Sequence, residues 1–183
     1  MGEAGATPPS QDPKPPDHLD LSEASTVDSA RFREVLGHFC TGVTVVTAVR
    51  HGRPLGFTAQ AFTSVSLEPP LVAMCPARTT ASWSRMRPGG VFCANILTED
   101  QEALCRAFAT KGADKFRGVG WRPSHHTGSP VLVDVLAWVD CVVDAEHEAG
   151  DHLIVVGRVV DLGVERHAVP LLFYRGGYGR FQP

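Results

Sequence analysis

The sequence predicts a mainly β protein, an antiparallel barrel with a few appended helices. Short apolar or alternating runs of the kind that form strands recur at close spacing along the chain. Strands and helices do not alternate regularly, and the G-x-G-x-x-G turn of dinucleotide-binding parallel sheets is absent. Six to eight strands with two or three helices therefore favour an antiparallel barrel.

Composition and charge limit the function classes that the chain can belong to. With 183 residues, 43% of them hydrophobic and 20% charged, the chain suits one globular domain. A net charge of -3 with mixed signs gives no electrostatic signature of a nucleic-acid partner. No apolar run is long enough to span a bilayer, and the N-terminus lacks the apolar core of a signal peptide. Membrane and nucleic-acid partners are therefore not expected.

The cysteines indicate a reducing compartment. There are five of them, an odd number, and none forms a C-x-x-C pair. Four lie in apolar runs, where a free cysteine behaves as a small hydrophobe. Free thiols and a cytoplasmic location are therefore expected.

The N-terminal part of the chain divides into a leader and a folded domain. Residues 1–26 are rich in proline and poor in apolar side chains, which predicts a disordered leader, with the domain over residues 27–183. Asp28 is a candidate N-cap for a helix that ends at Gly42. The spacing of four apolar residues predicts one buried face for this helix: Phe32, Val35, Leu36 and Phe39.

The remaining elements follow in order. Strands are predicted over residues 43–49, 71–75, 91–97 and 131–144, with a hairpin into 152–161 and a last short strand running from 171 into a glycine turn. Trp83 and Met86 suggest a short helix. Thr98 to Gln101 has the pattern of a capping box before the next helix. Residues 111–120 are predicted to be a loop.

The stretch from Gly56 to Pro70 attracts a functional interpretation. Its polar residues are Thr, Gln and Ser rather than charged side chains, and many neighbours are small. A flat ligand can approach the backbone of such a segment, although an ordinary edge strand with a polar face has the same pattern. The doublet Pro69-Pro70 is predicted to close the strand.

Three further segments carry candidate ligand contacts. Arg78, Thr79 and Thr80 precede the short helix, where they form either a phosphate site or simple helix caps. Lys115-Phe116 lies in the following loop, where the cation faces either a ligand phosphate or solvent. His152 stands at the mouth of a strand, where it donates a hydrogen bond to a ligand amide or caps the strand. The other histidines show no zinc-ligand spacing, so no metal is expected, and G-x-S-x-G is absent.

Six motifs in order give the chain a family resemblance. They are Phe39-Cys40-Thr41-Gly42-Val43-Thr44-Val45-Val46-Thr47; Gly56-Phe57-Thr58-Ala59; Ser64-Val65-Ser66 with Pro69-Pro70-Leu71-Val72; Phe92-Cys93-Ala94-Asn95-Ile96-Leu97 with Gln101; Gly150-Asp151-His152 with Gly157-Arg158-Val159; and Pro170-Leu171-Leu172-Phe173-Tyr174 with Tyr178. Together they resemble the flavin reductase family, the small reductase components of two-component flavin monooxygenases. The resemblance covers about residues 32–181.

The resemblance implies a Greek-key FMN-binding split barrel with two to four appended helices, forming a homodimer. It implies an NAD(P)H:flavin oxidoreductase that takes hydride from NADH or NADPH. The flavin is FAD, with FMN as the alternative, and the reduced flavin passes to a partner monooxygenase that hydroxylates aromatic compounds or secondary metabolites. Two rivals stay open, a non-catalytic flavin carrier and a split-barrel oxidase related to pyridoxine-phosphate oxidase.

The resemblance also assigns residues to the two cofactors. On the flavin side it implies Thr41, Gly42, Thr58, Ala59, Gln60, Ala61, Ser64, Val65, Ser66, Cys75, Ala77, Arg78, Thr79, Thr80, Asn95, Lys115 and Phe116. On the nicotinamide side it implies His152 as the catalytic residue, with Tyr174, Arg175, Gly177 and Tyr178. Gln60 stands where relatives often have serine or asparagine. Hydride transfer needs two aligned rings and no protein acid or base, so the absence of a catalytic triad is expected.

Overall fold

The structure is a computed structural model that describes residues 27–112 and 114–181. The predicted disordered leader, residues 1–26, lies outside the described residues. Three α-helices are formed, α1 (Ser29–Leu36), α2 (Ala81–Met86) and α3 (Glu102–Ala109), with 3-10 helices at Arg87–Gly89 and Glu99–Gln101. The strands are β1 (Thr41–Gly42), β2 (Thr44–Arg50), β3 (Arg53–Ala59), β4 (Phe62–Leu67), β5 (Pro70–Met74), β6 (Val91–Ile96), β7 (Trp121–Pro123), β8 (Pro130–Leu132), β9 (Ala137–Ala149), β10 (His152–Val164), β11 (Leu171–Tyr174) and β12 (Gly177–Arg180).

The main sheet has seven antiparallel strands in the order β3-β2-β6-β9-β10-β5-β4. Its two edge strands, β3 and β4, follow each other in the chain with only Gln60 and Ala61 between them. Such a short connection brings the two edges together, so the sheet must curl into a barrel. The edges do not pair along a ladder, and the barrel stays open there. Two smaller sheets, β1-β11-β12 and β7-β8, complete the described fold.

The described residues form more strands than the six to eight predicted. β1, β7, β8 and β12 have two to four residues each, too few to show an alternating pattern. The stretch from Gly56 to Pro70 is also divided, because β3 ends at Ala59 and β4 begins at Phe62. Pro70 begins β5 and does not simply close the strand, so the proline doublet forms part of the β4–β5 hairpin.

The core consists of two main clusters on opposite faces of β2. Val46 and Ala48 pack inside the barrel with Phe92, whereas Val43 and Val45 pack with Phe108 and other residues under α3. Because both faces are covered, residues 44–48 are all buried. A strand covered on both sides reads as a continuous apolar run, as β2 does in the sequence.

Helix α1 confirms one expectation and overturns two. Asp28 caps the helix, accepting a hydrogen bond from the Arg31 amide at 3.2 Å. The helix ends at Leu36 rather than Gly42, because Gly37 already forms its C-cap. Its predicted buried face is exposed in the single chain, with Phe32 at 56% and Val35 at 58% relative exposure.

The other helices show the same mixture of outcomes. The capping box of Thr98 and Gln101 is present, as predicted. Thr80 stands at the N-cap of α2 but makes no capping hydrogen bond with its side chain. None of the helices in the described part of the chain has the length and apolar character needed to cross a bilayer.

Candidate active site

A cleft of about 830 Å³ opens beside β3, between α2 and the loop that follows α3. We refer to it below as the cleft. Six of the residues predicted for the flavin side line it: Thr58, Ala77, Thr79, Thr80, Lys115 and Phe116. The fold thus brings together three segments that are far apart in the sequence. Its volume lies in the upper part of the range typical of small-molecule sites.

Lys115 holds three walls of the cleft together. Its ammonium group donates to the Phe108 carbonyl at 2.7 Å and the Gly56 carbonyl at 3.2 Å, and lies 3.5 Å from the Ser82 hydroxyl. These partners belong to α3, β3 and α2 respectively. Partial burial lowers the pKa of Lys115 from its ordinary value. The lysine is therefore a structural clamp as well as a positive charge in the cleft.

The hydroxyl and aromatic groups of the cleft have fixed orientations. Thr58 donates its hydroxyl proton to the Cys105 carbonyl at 2.6 Å, which leaves its oxygen free to accept a hydrogen bond from a ligand. The Phe116 ring packs edge-to-face on Phe108, with centroids 5.0 Å apart, and on Trp121 at 6.2 Å. Such contacts hold the ring against the wall of the cleft.

The other residues predicted around the ring of the flavin do not line the cleft and lie near the β3–β4 connection. There Gln60 donates its side-chain amide to the Thr41 hydroxyl at 3.2 Å, and the Cys75 amide donates to the Ala61 carbonyl at 3.2 Å. These two bonds join β1 and β5 to the open edge of the barrel. The remaining members of this group are Gly42, Ala59, Ser64, Val65 and Ser66. Their contacts with a ligand stay predictions.

The β9–β10 hairpin tip is attached directly to the segment that enters the cleft. Ala77 pairs with His152, the Arg78 amide donates to the Asp151 carbonyl at 2.9 Å, and the Leu153 amide donates to the Pro76 carbonyl at 3.0 Å. The predicted nicotinamide-side histidine and the predicted flavin-side segment are therefore neighbours in the fold.

His152 is held by the carboxylate beside it. Its Nδ1 lies 2.7 Å from Asp151 Oδ1, and both side chains are exposed. This hydrogen bond and the imidazole charge lower the pKa of Asp151 below its ordinary value. A carboxylate bonded to Nδ1 leaves Nε2 as the ring nitrogen available to a ligand.

The β11–β12 turn carries three more predicted nicotinamide-side residues, Tyr174, Arg175 and Gly177, all exposed. The turn is anchored to the end of α1, because the Arg175 amide donates to the Gly37 carbonyl at 2.9 Å. The Tyr174 hydroxyl lies 3.5 Å from His38 Nδ1. The roles of these residues toward a dinucleotide stay predictions.

Asn95, which was predicted on the flavin side, has its side chain directed into the protein and does not line the cleft. The side chain is fully buried. Its amide nitrogen lies within 3.2 Å of the Val45 carbonyl, the Thr47 hydroxyl and the Pro130 carbonyl, and its oxygen accepts from the Leu132 amide at 2.8 Å. The hydrogen bonds of its side chain thus join β6 to β2 and β8 inside the protein.

Two other residues predicted to bind the cofactors do not line the cleft, and their side chains contact other parts of the chain. Arg78 lies outside the cleft, where its guanidinium faces Glu148 at 3.4 Å across a second cavity. Tyr178 packs on α3, with its hydroxyl 3.1 Å from Cys105 Sγ and the Arg106 guanidinium 4.6 Å from its ring centroid. The first residue therefore points away from the predicted phosphate site, and the second is occupied by contacts within the chain.

Sequence reasoning missed several residues of the cleft, among them Arg53, Ser82, Arg85 and Phe108. A signal for two of them existed in α2. Trp83 and Met86 are its buried residues, so Ser82 and Arg85, also three apart, share a different face.

No group of three or more histidine, cysteine, aspartate or glutamate side chains within residues 27–112 and 114–181 is arranged to hold a metal ion. All five cysteines are free thiols in the structure. The absence of a metal stays a prediction from the sequence.

The open barrel, the cleft and the hairpin corner together define a split-barrel protein with a candidate small-molecule site. The chain matches the family model described as flavin reductase like domain over residues 36–182. It is 46% identical over 160 residues to the flavin-dependent monooxygenase reductase subunit HsaB of Rhodococcus jostii, covering 87% of this chain and 82% of that protein.

Solved structures similar to this chain include related reductase components. Nitrilotriacetate monooxygenase component B from Mycobacterium thermoresistibile is 46% identical, with a TM-score of 0.82 and coverage of 86% of this chain and 88% of that one. The NADH:FAD oxidoreductase SgcE6 of Streptomyces globisporus, in complex with NAD and FAD fragments, is 33% identical, with a TM-score of 0.80 and coverage of 92% and 98%. The chain therefore belongs to the flavin reductase family. This confirms the resemblance, the split-barrel fold and the flavin reductase function predicted from the sequence.

Proposed function

We propose that the protein is an NAD(P)H-dependent flavin reductase that supplies reduced flavin to a partner monooxygenase. NADH or NADPH is the hydride donor, and FAD, with FMN as the alternative, is the dissociable cosubstrate bound in the cleft. The partner hydroxylates an aromatic compound or a secondary metabolite. A relative that is the reductase subunit of a flavin-dependent monooxygenase supports the partner, and a relative that forms a complex with NAD and FAD fragments supports the cofactors.

One observation carries this proposal, the direct attachment of the Gly-Asp-His corner to the segment that enters the cleft. The Ala77–His152 bridge and the bond between the Arg78 amide and the Asp151 carbonyl fix the two regions by main-chain contacts. Hydride transfer between two bound cofactors depends on the alignment of two rings, which requires this kind of fixed spacing.

The residues of the cleft fit a phosphorylated flavin. Thr79, Thr80 and Ser82 offer hydroxyls, and Lys115 is one of several cations in the lining. Charged and hydroxyl-bearing side chains of the lining are placed to hold the phosphate. A bound flavin supplies the redox chemistry by accepting hydride from a reduced nicotinamide.

The chain itself binds and orients the two cofactors. Thr58 presents an acceptor oxygen, because its proton is already donated to Cys105. Phe116 presents an aromatic edge or face fixed by its neighbours. His152, oriented by Asp151, is placed to donate a hydrogen bond to a nicotinamide amide.

A spectrophotometric assay tests the function. Oxidation of NADH and of NADPH is followed at 340 nm with FAD, FMN and riboflavin in turn, and flavin binding is measured separately by fluorescence. Turnover with at least one donor and one flavin supports the proposal. Flavin binding without NAD(P)H oxidation would instead identify a flavin carrier.

Replacing His152 separates the two half-sites. We expect His152→Ala to raise KM for the nicotinamide about tenfold, the effect of one lost hydrogen bond, and to leave flavin affinity nearly unchanged. His167→Ala, an exposed histidine of the β10–β11 connection, is the matched control. Equal losses for both cofactors, or no loss, contradict the proposed role.

We propose further that the protein is a homodimer, as the family resemblance implies. Two exposed apolar surfaces support this proposal: the α1 face described above and the outer face of β10, where Leu162 and Val164 are 63% and 68% exposed. Leu67 of β4 is 89% exposed as well. Clustered exposed apolar side chains are typical of interfaces between subunits. Light scattering should show a dimer that Leu162→Lys converts to a monomer, whereas Val133→Lys, at a 52% exposed valine outside both surfaces, should leave it intact.

A further inference from the structure

The cleft contains three cations that no carboxylate neutralises. Arg53 at the start of β3, Arg85 on α2 and Lys111 after α3 all line it and are exposed to solvent. Among the residues that the structure describes, none of the three has an ion-pair partner. Three separate elements thus direct positive charge into one cavity.

This concentration of charge runs against the overall charge of the chain. The protein carries a net charge of -3, yet the cleft is lined by four cations and a single carboxylate, Asp114. Unpaired charges of one sign repel one another, and they attract an anion that enters the cavity between them.

Lys115 does not account for the arrangement. Its ammonium already donates to the Phe108 and Gly56 carbonyls, so it is committed to holding the walls together. The hydroxyls of Thr79, Thr80 and Ser82 offer donors to one phosphate group. Arg53, Arg85 and Lys111 add charged donors at three other positions of the lining, enough for the oxygens of a second phosphate group.

We propose that Arg53, Arg85 and Lys111 form a second phosphate subsite, which binds the pyrophosphate of a flavin dinucleotide and makes the cleft prefer FAD to FMN. The proposal rests on the proposed function, in that the flavin occupies this cleft. Arginine suits the role because its planar guanidinium binds phosphate oxygens in pairs, and charged hydrogen bonds of this kind are stronger than neutral ones.

Equilibrium binding tests the subsite without any need for turnover. Dissociation constants for FAD, FMN and riboflavin are measured by fluorescence with the full-length protein, with Arg53→Ala, Arg85→Ala and Lys111→Ala, and with the triple variant. Arg117→Ala, an exposed arginine that does not line the cleft, is the control for loss of one charge. Riboflavin, which lacks phosphate, reports whether the cleft is still folded.

We expect each single variant to weaken FAD binding severalfold and the triple variant to weaken it by at least about tenfold. FMN binding should fall by less than about threefold, and riboflavin binding should not change. Equal losses for FAD and FMN, or no loss for FAD, overturn the proposal. So does a selective loss of NADPH affinity in the same variants, because the cations would then serve the 2′-phosphate of the donor.

Failure of the subsite and failure of the proposed function give different results. If the wild-type protein prefers FAD and loses this preference in the triple variant, the subsite stands even where NAD(P)H is not oxidised. If NAD(P)H oxidation is robust and the variants bind all flavins like the wild type, the reductase stands and the subsite is refuted.

Discussion

Gly56 is the position where a single methyl group tests the packing beneath the cleft. A Cβ at this position would lie 2.7 Å and 2.9 Å from two ring carbons of Phe108 and 3.0 Å from the Val46 carbonyl oxygen. Phe108 is fully buried, and the Val46 carbonyl belongs to the neighbouring strand, so neither group can move away freely. Gly56→Ala therefore forces a shift of α3 against the barrel.

The expected loss of stability follows from overpacking of the core. Inserting a methyl group into a filled core costs about 1–3 kcal/mol. For a protein of this length each kcal/mol lowers Tm by about 2–4 °C, so Tm should fall by about 2–12 °C. Because Lys115 bridges the Gly56 and Phe108 carbonyls, a displaced α3 also shifts one wall of the cleft, and flavin affinity should fall as well.

Thermal and urea unfolding measure the loss of stability, and Gly179→Ala in β12 is the control, since its Cβ would meet no atom within 4 Å. In the double variant with Phe108→Leu the clash is relieved, so the two changes should cost about 1 kcal/mol less than their sum. If Gly56→Ala is as stable as the control, or if the two changes are additive, the packing argument is refuted.

Three further predictions follow from buried and paired groups. Asn95→Ala should lower the free energy of unfolding in urea by about 3 kcal/mol, because buried partners of the Asn95 amide lose their hydrogen bonds. If the variant is fully stable but binds flavin weakly, Asn95 instead has its predicted ligand role. Burial raises the pKa of Cys141 to about 12 and that of Cys93 well above its ordinary value, so neither thiol should react with a disulfide reagent at pH 8 until the protein unfolds. The bond to His152 lowers the pKa of Asp151. The stabilisation that the Asp151 carboxylate gains from this pair is therefore complete above its ordinary pKa of about 3.9, and it is lost as the pH falls through the lowered pKa. In an NMR titration His152→Ala should return the carboxyl to its ordinary pKa, and an unchanged titration would argue against the pair.

Local patterns in the sequence predicted the elements whose structure is decided locally. The capping box at Thr98 formed because two side chains three residues apart satisfy each other's backbone amides. The ends of β6 were predicted to within one residue, because turn residues interrupt its apolar run on both sides. The short strands were missed because their pairing depends on partners far away in the chain.

The direction of charged and amide side chains could not be predicted in the same way. Arg78 precedes α2 and Arg85 lies within it, yet only Arg85 lines the cleft. The Arg78 amide is bonded to the hairpin tip, and the Arg78 side chain faces Glu148. Asn95 stands alone among apolar residues, a pattern shared by buried structural amides and by ligand contacts. Only the position of β8 shows that the first case applies.

The α1 pattern was misassigned for a different reason. Its apolar spacing indicates a face that must be covered, but spacing does not distinguish cover by the same chain from cover by another chain. The exposure of that face in a single chain is therefore informative, and it agrees with the exposed outer face of β10 in favouring an assembly.

The two half-sites differ in how they depend on sequence. The spacing between them is set by main-chain contacts at Ala77, Arg78 and Leu153. Because these contacts use backbone atoms, many different side chains are compatible with them. In the proposed phosphate subsite, the preference for a flavin depends on exposed side chains that line the cleft, such as Arg53 and Lys111. We therefore expect relatives with this barrel to differ in flavin preference by substitution at such positions, while the main-chain contacts persist.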